Sequence, residues 1–156
     1  MVYLKTDEEI ELMRESNLLV GKTLAELARA VKPGVSTLEL DKIAETYIRD
    51  HKGVPGFLNY QGFPNTLCTS VNEQVVHGIP NKKPLQEGDI VSVDCGVLLN
   101  GFFGDSAYTF EVGVVKPEIK ALLEATKAAL YKGIEMAVEG NRIGDIGYAV
   151  QEYCET

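Results

Sequence analysis

The stretch Asp89–Val112 reads DIVSVDCGVLL-NG-FFGDSAYTFEV. Val91, Val93, Cys95, Val97 and Leu99 recur at every second position, which predicts a strand over 89–99 with one apolar face turned to a core. Asn100-Gly101 follows, the residue pair favoured in two-residue β-hairpin loops because both positions take positive φ. The return strand is expected over 102–112. With this loop Leu99 faces Phe102, Asp94 faces Ala107 and Asp105 faces Gly96. Opposed residues project to the same face, so Asp94 and Asp105 share one face on a diagonal, with Cβ atoms about 7 Å apart.

Aspartate is a poor strand former, and two aspartates buried on one face repel unless a cation sits between them. Their neighbours there, Ser92, Gly96, Ala107 and Thr109, are small and leave room for ions and water. Carboxylates so spaced can converge on two divalent ions about 3.5–4 Å apart. Hard oxygen ligands suit Mn, Mg or Co-like ions, and zinc stays open. The spacing alone also fits a sheet face open to solvent, where aspartates cost little.

Outward from the hairpin, the chain reads as helix, helix, strands, helix, helix. Thr6 with Glu9, and Ser36 with Glu39, have capping-box spacing. A helix is expected over 6–31, ended by Lys32-Pro33-Gly34, and a second from Ser36 to Gly53. Val54–Asn65, with four Gly and Pro among Phe57, Tyr60 and Phe63, reads as an aromatic loop. Leu67–Val71 and Gln74–Val76 read as short strands about Asn72-Glu73, and 78–88 as a connection. After the hairpin come helices over 117–138 and from Ile143 to Tyr153. A shift of 106 residues lays Gly34 on Gly140 and Tyr47 on Tyr153 in the same element order. This suggests an internal repeat that stops inside its second copy; chance similarity of amphipathic helix pairs is the other explanation.

With 156 residues, 45% hydrophobic and 24% charged, the chain has an ordinary globular composition and length for one domain. A net charge of −8 argues against nucleic acid as a partner. Three cysteines without paired spacing point to reduced thiols. Neither a signal peptide nor a membrane-spanning run is expected.

Two further features could carry chemistry. His77 follows a short apolar run and precedes Gly78; a strand-end histidine there could hydrogen-bond a substrate or relay protons, or simply be satisfied by local backbone. His51, at the end of the second helix, fits a helix-terminus role. Phe57, Tyr60 and Phe63, with Cys68 beyond, could line a pocket for a thioether side chain, or could anchor their loop to the core.

Taken in order, these segments strongly resemble type I methionine aminopeptidases: Tyr60-Gln61-Gly62-Phe63-Pro64, Cys68-Thr69-Ser70-Val71-Asn72-Glu73, Val76-His77-Gly78-Ile79-Pro80, Gly88–Asp94 and Gly101–Asp105. The resemblance implies an α/β fold of the α+β type, the pseudo-twofold pita-bread fold, with 1–112 as a first half-repeat and 113–156 as the start of the second. It implies removal of the initiator methionine from nascent proteins in the cytoplasm, with methionyl peptides as substrates and the ribosome as a partner. It implies two divalent ions (Co, Mn, Fe or Zn) on Asp94 and Asp105, with Asp105 bridging. His77 takes the place of a histidine near the scissile bond. Tyr60, Phe63 and Cys68 match the methionine pocket, Phe57 a pocket position of variable type, and Asn72 a place beside a monovalent-cation site. The family's other metal ligands, a histidine and two glutamates, lie in its second half, which this sequence does not reach. The chain by itself is therefore expected to lack part of the site and to self-associate through exposed apolar surface. Two other readings stay open: a non-catalytic half-domain that binds peptides or proteins, and a proline dipeptidase relative.

Overall fold

The computed structural model describes residues 3–155; Met1, Val2 and Thr156 of the expected single domain lie outside the described residues. Thr6 and Ser36 each accept a hydrogen bond from the backbone N–H three residues on, and Glu9 and Glu39 accept in return from the cap's own N–H. These reciprocal pairs satisfy donors that a helix start leaves free. They begin α1 (Asp7–Ala30) and α2 (Thr37–Asp50) within one residue of the positions read from the sequence. His51 caps α2, its Nδ1 lying 2.8 Å from the Tyr47 carbonyl oxygen, which is the helix-terminus role expected of it.

Four strands follow: β1 (Val54–Pro55), β2 (Leu67–Val71), β3 (Ile90–Leu99) and β4 (Phe102–Glu111). β3 is the centre of the sheet. β4 pairs antiparallel along one side of it, and β1 and β2 lie end to end, both antiparallel, along the other. The hairpin register is the expected one: Leu99 pairs with Phe102, Asp94 with Ala107 and Gly96 with Asp105. Asn100 and Gly101 both have positive φ, 53° and 83°, as the two-residue turn requires.

Two expectations are corrected. Gln74–Val76 is not a strand. Asn72 takes a left-handed φ of 54° and binds forward, donating from Nδ2 to Asp89 and accepting the Ile90 N–H at Oδ1. β2 is therefore committed to β3, and Val75 and Val76 are left exposed. The aromatic loop is also not wholly irregular: Val54 and Pro55 pair with Leu98 and Val97, and Tyr60–Gly62 forms one 3-10 turn. Pro55 has no N–H to donate, and β1 lies at the margin of the sheet, where proline is tolerated.

One face of the sheet is the core. Val91, Val93, Cys95 and Val97 are fully buried there, beneath Leu19, Val20, Leu24 and Leu27 of α1 and Leu40, Ala44 and Ile48 of α2. The seam between α1 and the hairpin is tight at Gly104. A Cβ there would fall 2.6 Å from the Ser16 carbonyl carbon and 2.7 Å from the Asn17 nitrogen. Beside it, the buried Ser16 hydroxyl shares its proton between the Phe102 and Leu99 carbonyls at 2.9 and 3.1 Å. Asn100 Nδ2 donates to Glu15 at 2.7 Å. Residues 15–17 of α1 thus grip the closed end of the hairpin.

The chain divides into two compact units, Met1–Val114 and Val115–Thr156. The second holds α3 (Pro117–Glu135) and α4 (Ile143–Glu155). Pro117 begins α3 at a position where the missing N–H costs nothing. α3 stops three residues short of the expected Val138, because Met136 and Ala137 donate to Gly133 and Ile134 in a tightened last turn. No helix among the described residues is long and apolar enough to cross a membrane.

Because the atoms facing Gly104 are backbone, no side chain can yield to a new methyl group. Gly104→Ala is expected to destabilise the chain by about 1–3 kcal/mol, the usual effect of overpacking. Urea unfolding compared with the parent chain measures this; an unchanged midpoint would mean that α1 does not sit on the hairpin as described.

Candidate metal centre

The sheet face turned away from the core carries Cys68 and Ser70 from β2, Ser92, Asp94 and Gly96 from β3, and Asp105, Ala107 and Thr109 from β4. This follows from the register, in which Cys68 and Ala107 flank Asp94 and Gly96 faces Asp105. The Asp105 carboxylate lies close enough for its charge to act on Asp94. Asp94 is partly buried, whereas Asp105 is exposed. Asp94 Oδ1 is buried with no hydrogen-bond partner among the described residues. An orphaned carboxylate oxygen is costly without a donor or a cation.

Burial, first, and then the Asp105 charge and hydrogen bond push the Asp94 carboxyl up to about 6; His77 and the Cys95 backbone N–H act in the opposite direction. The Cys68 thiol, across the strand from Asp94, is raised to about 11 by burial and by both aspartates, so it stays a neutral thiol near pH 7. Cys95, on the core face, is pushed up to about 12, mainly by burial. These shifts make the face hostile to negative charge. A divalent cation would reverse that logic, and hard carboxylate oxygens suit such an ion.

The other residues singled out in the sequence fall into two groups. Phe57 reaches this face: a Cβ on Gly96 would lie 2.5 Å from Phe57 Cε1, so the ring sits directly over the glycine that pairs with Asp105. His77 is close enough for its charge to act on Asp94. It is not a strand-end histidine, however. It is exposed, with φ of 58°, in a segment docked on the free edge of β2, where Thr69 N–H donates to Gly78 O at 2.8 Å. Tyr60 is 65% exposed and Phe63 partly buried, both in the loop closed by the Phe63 N–H to Tyr60 O bond. Asn72 stands apart at the other end of β3, lining a cavity of about 220 Å³ with Asp89, Asn81 and Thr37. Among the described residues, no group of three or more His, Cys, Asp and Glu side chains is arranged to hold an ion. The two aspartates fit one side of a coordination shell, not a whole one.

Sequence reasoning missed Asp41. It is buried and accepts hydrogen bonds from three consecutive residues ahead of Cys68. Its signal was present: Thr37, Asp41, Ala44 and Ile48 recur at helical spacing on one buried face. The grip of Ser16 and Gly104 was missed as well, and nothing in the local sequence pattern points to it.

The pattern of the M24 metallopeptidase family matches residues 11–156. The chain belongs to metallopeptidase family M24. It is 50% identical to a methionine aminopeptidase of Clostridium acetobutylicum over 157 aligned residues, covering 100% of this chain and 63% of that protein. Its structure superposes on that of a methionine aminopeptidase from Rickettsia prowazekii with a TM-score of 0.98 at 42% identity, covering 99% of this chain and 62% of the other. The M24 chain thus has the mixed α/β architecture of the N-terminal part of the pita-bread fold, as the sequence suggested, and spans a little over three fifths of these relatives. A prolidase from Pyrococcus furiosus shares the fold, with a TM-score of 0.83, at 20% identity.

The raised Asp94 pKa has a consequence for the metal-free chain. A carboxyl whose folded pKa lies above its unfolded value holds a proton that the unfolded chain has released. Its favourable contribution is complete below about pH 4 and is lost as pH rises through about 6. In EDTA, Asp94→Asn is expected to flatten the fall in urea midpoint between about pH 5 and about pH 7.5. A parent-like fall in the variant would assign the pH dependence to other groups.

Proposed function

We propose that this chain supplies the first part of a dinuclear-metal aminopeptidase site that releases the N-terminal methionine of new polypeptides. One observation carries the reading: Asp94 and Asp105 meet on one sheet face, with a buried, unpartnered carboxylate oxygen between small residues. Membership of a metallopeptidase family, and 50% identity to a protein named methionine aminopeptidase, support it. Fold alone does not separate this reading from a proline dipeptidase, since that likeness is at 20% identity.

In this reading Asp94 and Asp105 hold two divalent ions from one side, and the remaining ligands come from outside the residues described here. Bound ions of this class supply Lewis acidity and a water of lowered pKa. Phe57 and Cys68 present apolar surface beside the carboxylates, with Tyr60 and Phe63 on the same loop, so that a methionine side chain packs against rings and a neutral thiol. His77, exposed and near Asp94, donates a hydrogen bond to the peptide unit being cleaved. Asn72 is assigned only a distant place, beside a monovalent cation. The same reading treats 1–112 as a first half-repeat and 113–156 as the start of a second. In its support, α4 begins at Ile143, the residue that the 106-residue shift lays on Thr37, where α2 begins.

A binding half-domain is the second reading, and the lack of a three-ligand cluster among the described residues favours it. Calorimetric titration with Mn²⁺, together with a Met-Ala-Ser peptide, separates the two. The expected result is Mn²⁺ binding that weakens about tenfold or more in Asp94→Ala and in Asp105→Ala. Mn²⁺ binding indifferent to both substitutions would reject the metal site. Peptide binding that survives both substitutions and EDTA would favour the binding half-domain.

A further inference from the structure

Asp41 is 4% exposed on the inner face of α2. A carboxylate so placed must be paired or fully hydrogen-bonded, and none of the ion pairs among the described residues involves it. Its partners are three consecutive residues. Oδ1 accepts the backbone N–H groups of Thr66 and Leu67 at 2.9 and 2.8 Å, and Oδ2 accepts Asn65 Nδ2 at 2.8 Å. Hydrogen bonds to an ionised acceptor are the stronger kind.

Those three residues are the junction between the aromatic loop and β2. The loop is conformationally expensive: Asn59, Gln61 and Gly62 all have positive φ, at 66°, 48° and 83°. Two of them are not glycine, and such a run persists only where its surroundings over-determine it. At its start the loop is fixed to β3 by Gly56 N–H to Gly96 O and by the Phe57 ring over Gly96. Inside, Asn59 and Phe63 share a backbone bond of 2.8 Å. At its end, Asp41 holds it. The next residue after the clamp is Cys68, opposite Asp94.

We propose that Asp41 is a positioning residue of the side-chain pocket: by clamping the end of the aromatic loop to α2 it sets Phe63 and Cys68 relative to the Asp94–Asp105 face, and so governs which N-terminal side chain the site accepts. The selectivity part of this inference rests on the aminopeptidase reading above; the clamp itself does not. The hydrogen-bond pattern also separates Asp41 from Asn65. In Asn65→Asp two carboxylates face each other where an amide donated before, and their repulsion opposes the clamp. In the double variant Asp41→Asn with Asn65→Asp, the new amide can donate to the new carboxylate while its oxygen still accepts the Thr66 and Leu67 N–H groups, so the clamp is rebuilt with its charge moved across.

The test uses the full chain with Mn²⁺, comparing the parent, Asn65→Asp, the double variant and Asp41→Ala. Three quantities are read: amide hydrogen exchange, Mn²⁺ affinity, and affinity for Met-Ala-Ser against Leu-Ala-Ser. Asn65→Asp is expected to lose protection at Thr66 and Leu67, and to bind Met-Ala-Ser about tenfold more weakly with less discrimination against leucine. Protection of Val93 and Val97, and Mn²⁺ affinity within about twofold, should hold, because α1 rather than α2 grips the hairpin. The double variant should recover both losses. Unchanged loop protection and selectivity in Asn65→Asp would overturn the proposal. So would parallel loss of Mn²⁺ affinity and of exchange protection throughout the sheet, which is what general destabilisation produces, or failure of the double variant to recover. If the parent chain binds no methionyl peptide, the selectivity part of the inference is rejected for this chain, and loss and recovery of loop protection alone decide the clamp.

Discussion

Because side chains alternate along a strand, the hairpin at Asn100-Gly101 admits one register that puts the valines of β3 under α1, and the same register brings Asp94 and Asp105 together. A slip of β4 by one residue against β3 would place Asp105 opposite Cys95 or Val97, on the core face, and part it from Asp94. The site and the core are thus two sides of one constraint. The positive φ angles of Asn100 and Gly101 set the loop length. The grip of Glu15, Ser16 and Asn17 on the strand ends keeps the hairpin seated. Gly104 allows that grip because it has no Cβ.

The face away from the core is then unfavourable by construction. It places two carboxylates together, buries one oxygen without a donor and surrounds the pair with small residues and a thiol that burial keeps neutral. Folding tolerates the arrangement because one carboxyl can retain a proton. A protein with no use for a cation would lose nothing by replacing Asp94 with asparagine or serine. Thr66 and Thr69 also bury a hydroxyl oxygen without a partner among the described residues, but only at Asp94 is the orphaned oxygen that of a carboxyl beside a second carboxyl, and that pairing is the physical argument behind the proposed ion site.

Much of this was legible in the sequence, and the reason is locality. Capping boxes, the Asn-Gly turn and the alternation of Val91, Val93, Cys95 and Val97 are written within a few residues of one another, and each fixed its element to within a residue or two. The strand expected at Gln74–Val76 failed because Asn72 finds its partners at Asp89 and Ile90, a contact that no window around residue 74 contains. The two-residue β1 was hidden for a similar reason: Pro55 discourages a strand locally, and only β3 provides the place for it. Asp41 and Gly104 were overlooked because each is defined by what lies opposite it in space. Of the site, the aspartate diagonal could be derived from residue spacing. The proximity of Phe57 and His77 to it could not.

The two clamps also divide the labour between the first two helices. α1 touches the hairpin that carries both aspartates; α2, through Asp41, touches the junction that leads into Cys68. The two carboxylates and Phe57 of the aromatic loop meet on one face; the hairpin is tied to α1, and the end of the loop to α2. Changes that shift the loop need not shift the carboxylates, since β3 is held from both sides while the loop is held only at its ends. Under the proposed function, this arrangement lets Asn65 and the loop end change the side chain accepted with little effect on Asp94 and Asp105. The coupling that remains runs through Gly56 and Phe57, which fix the start of the loop to Gly96 of β3, opposite Asp105.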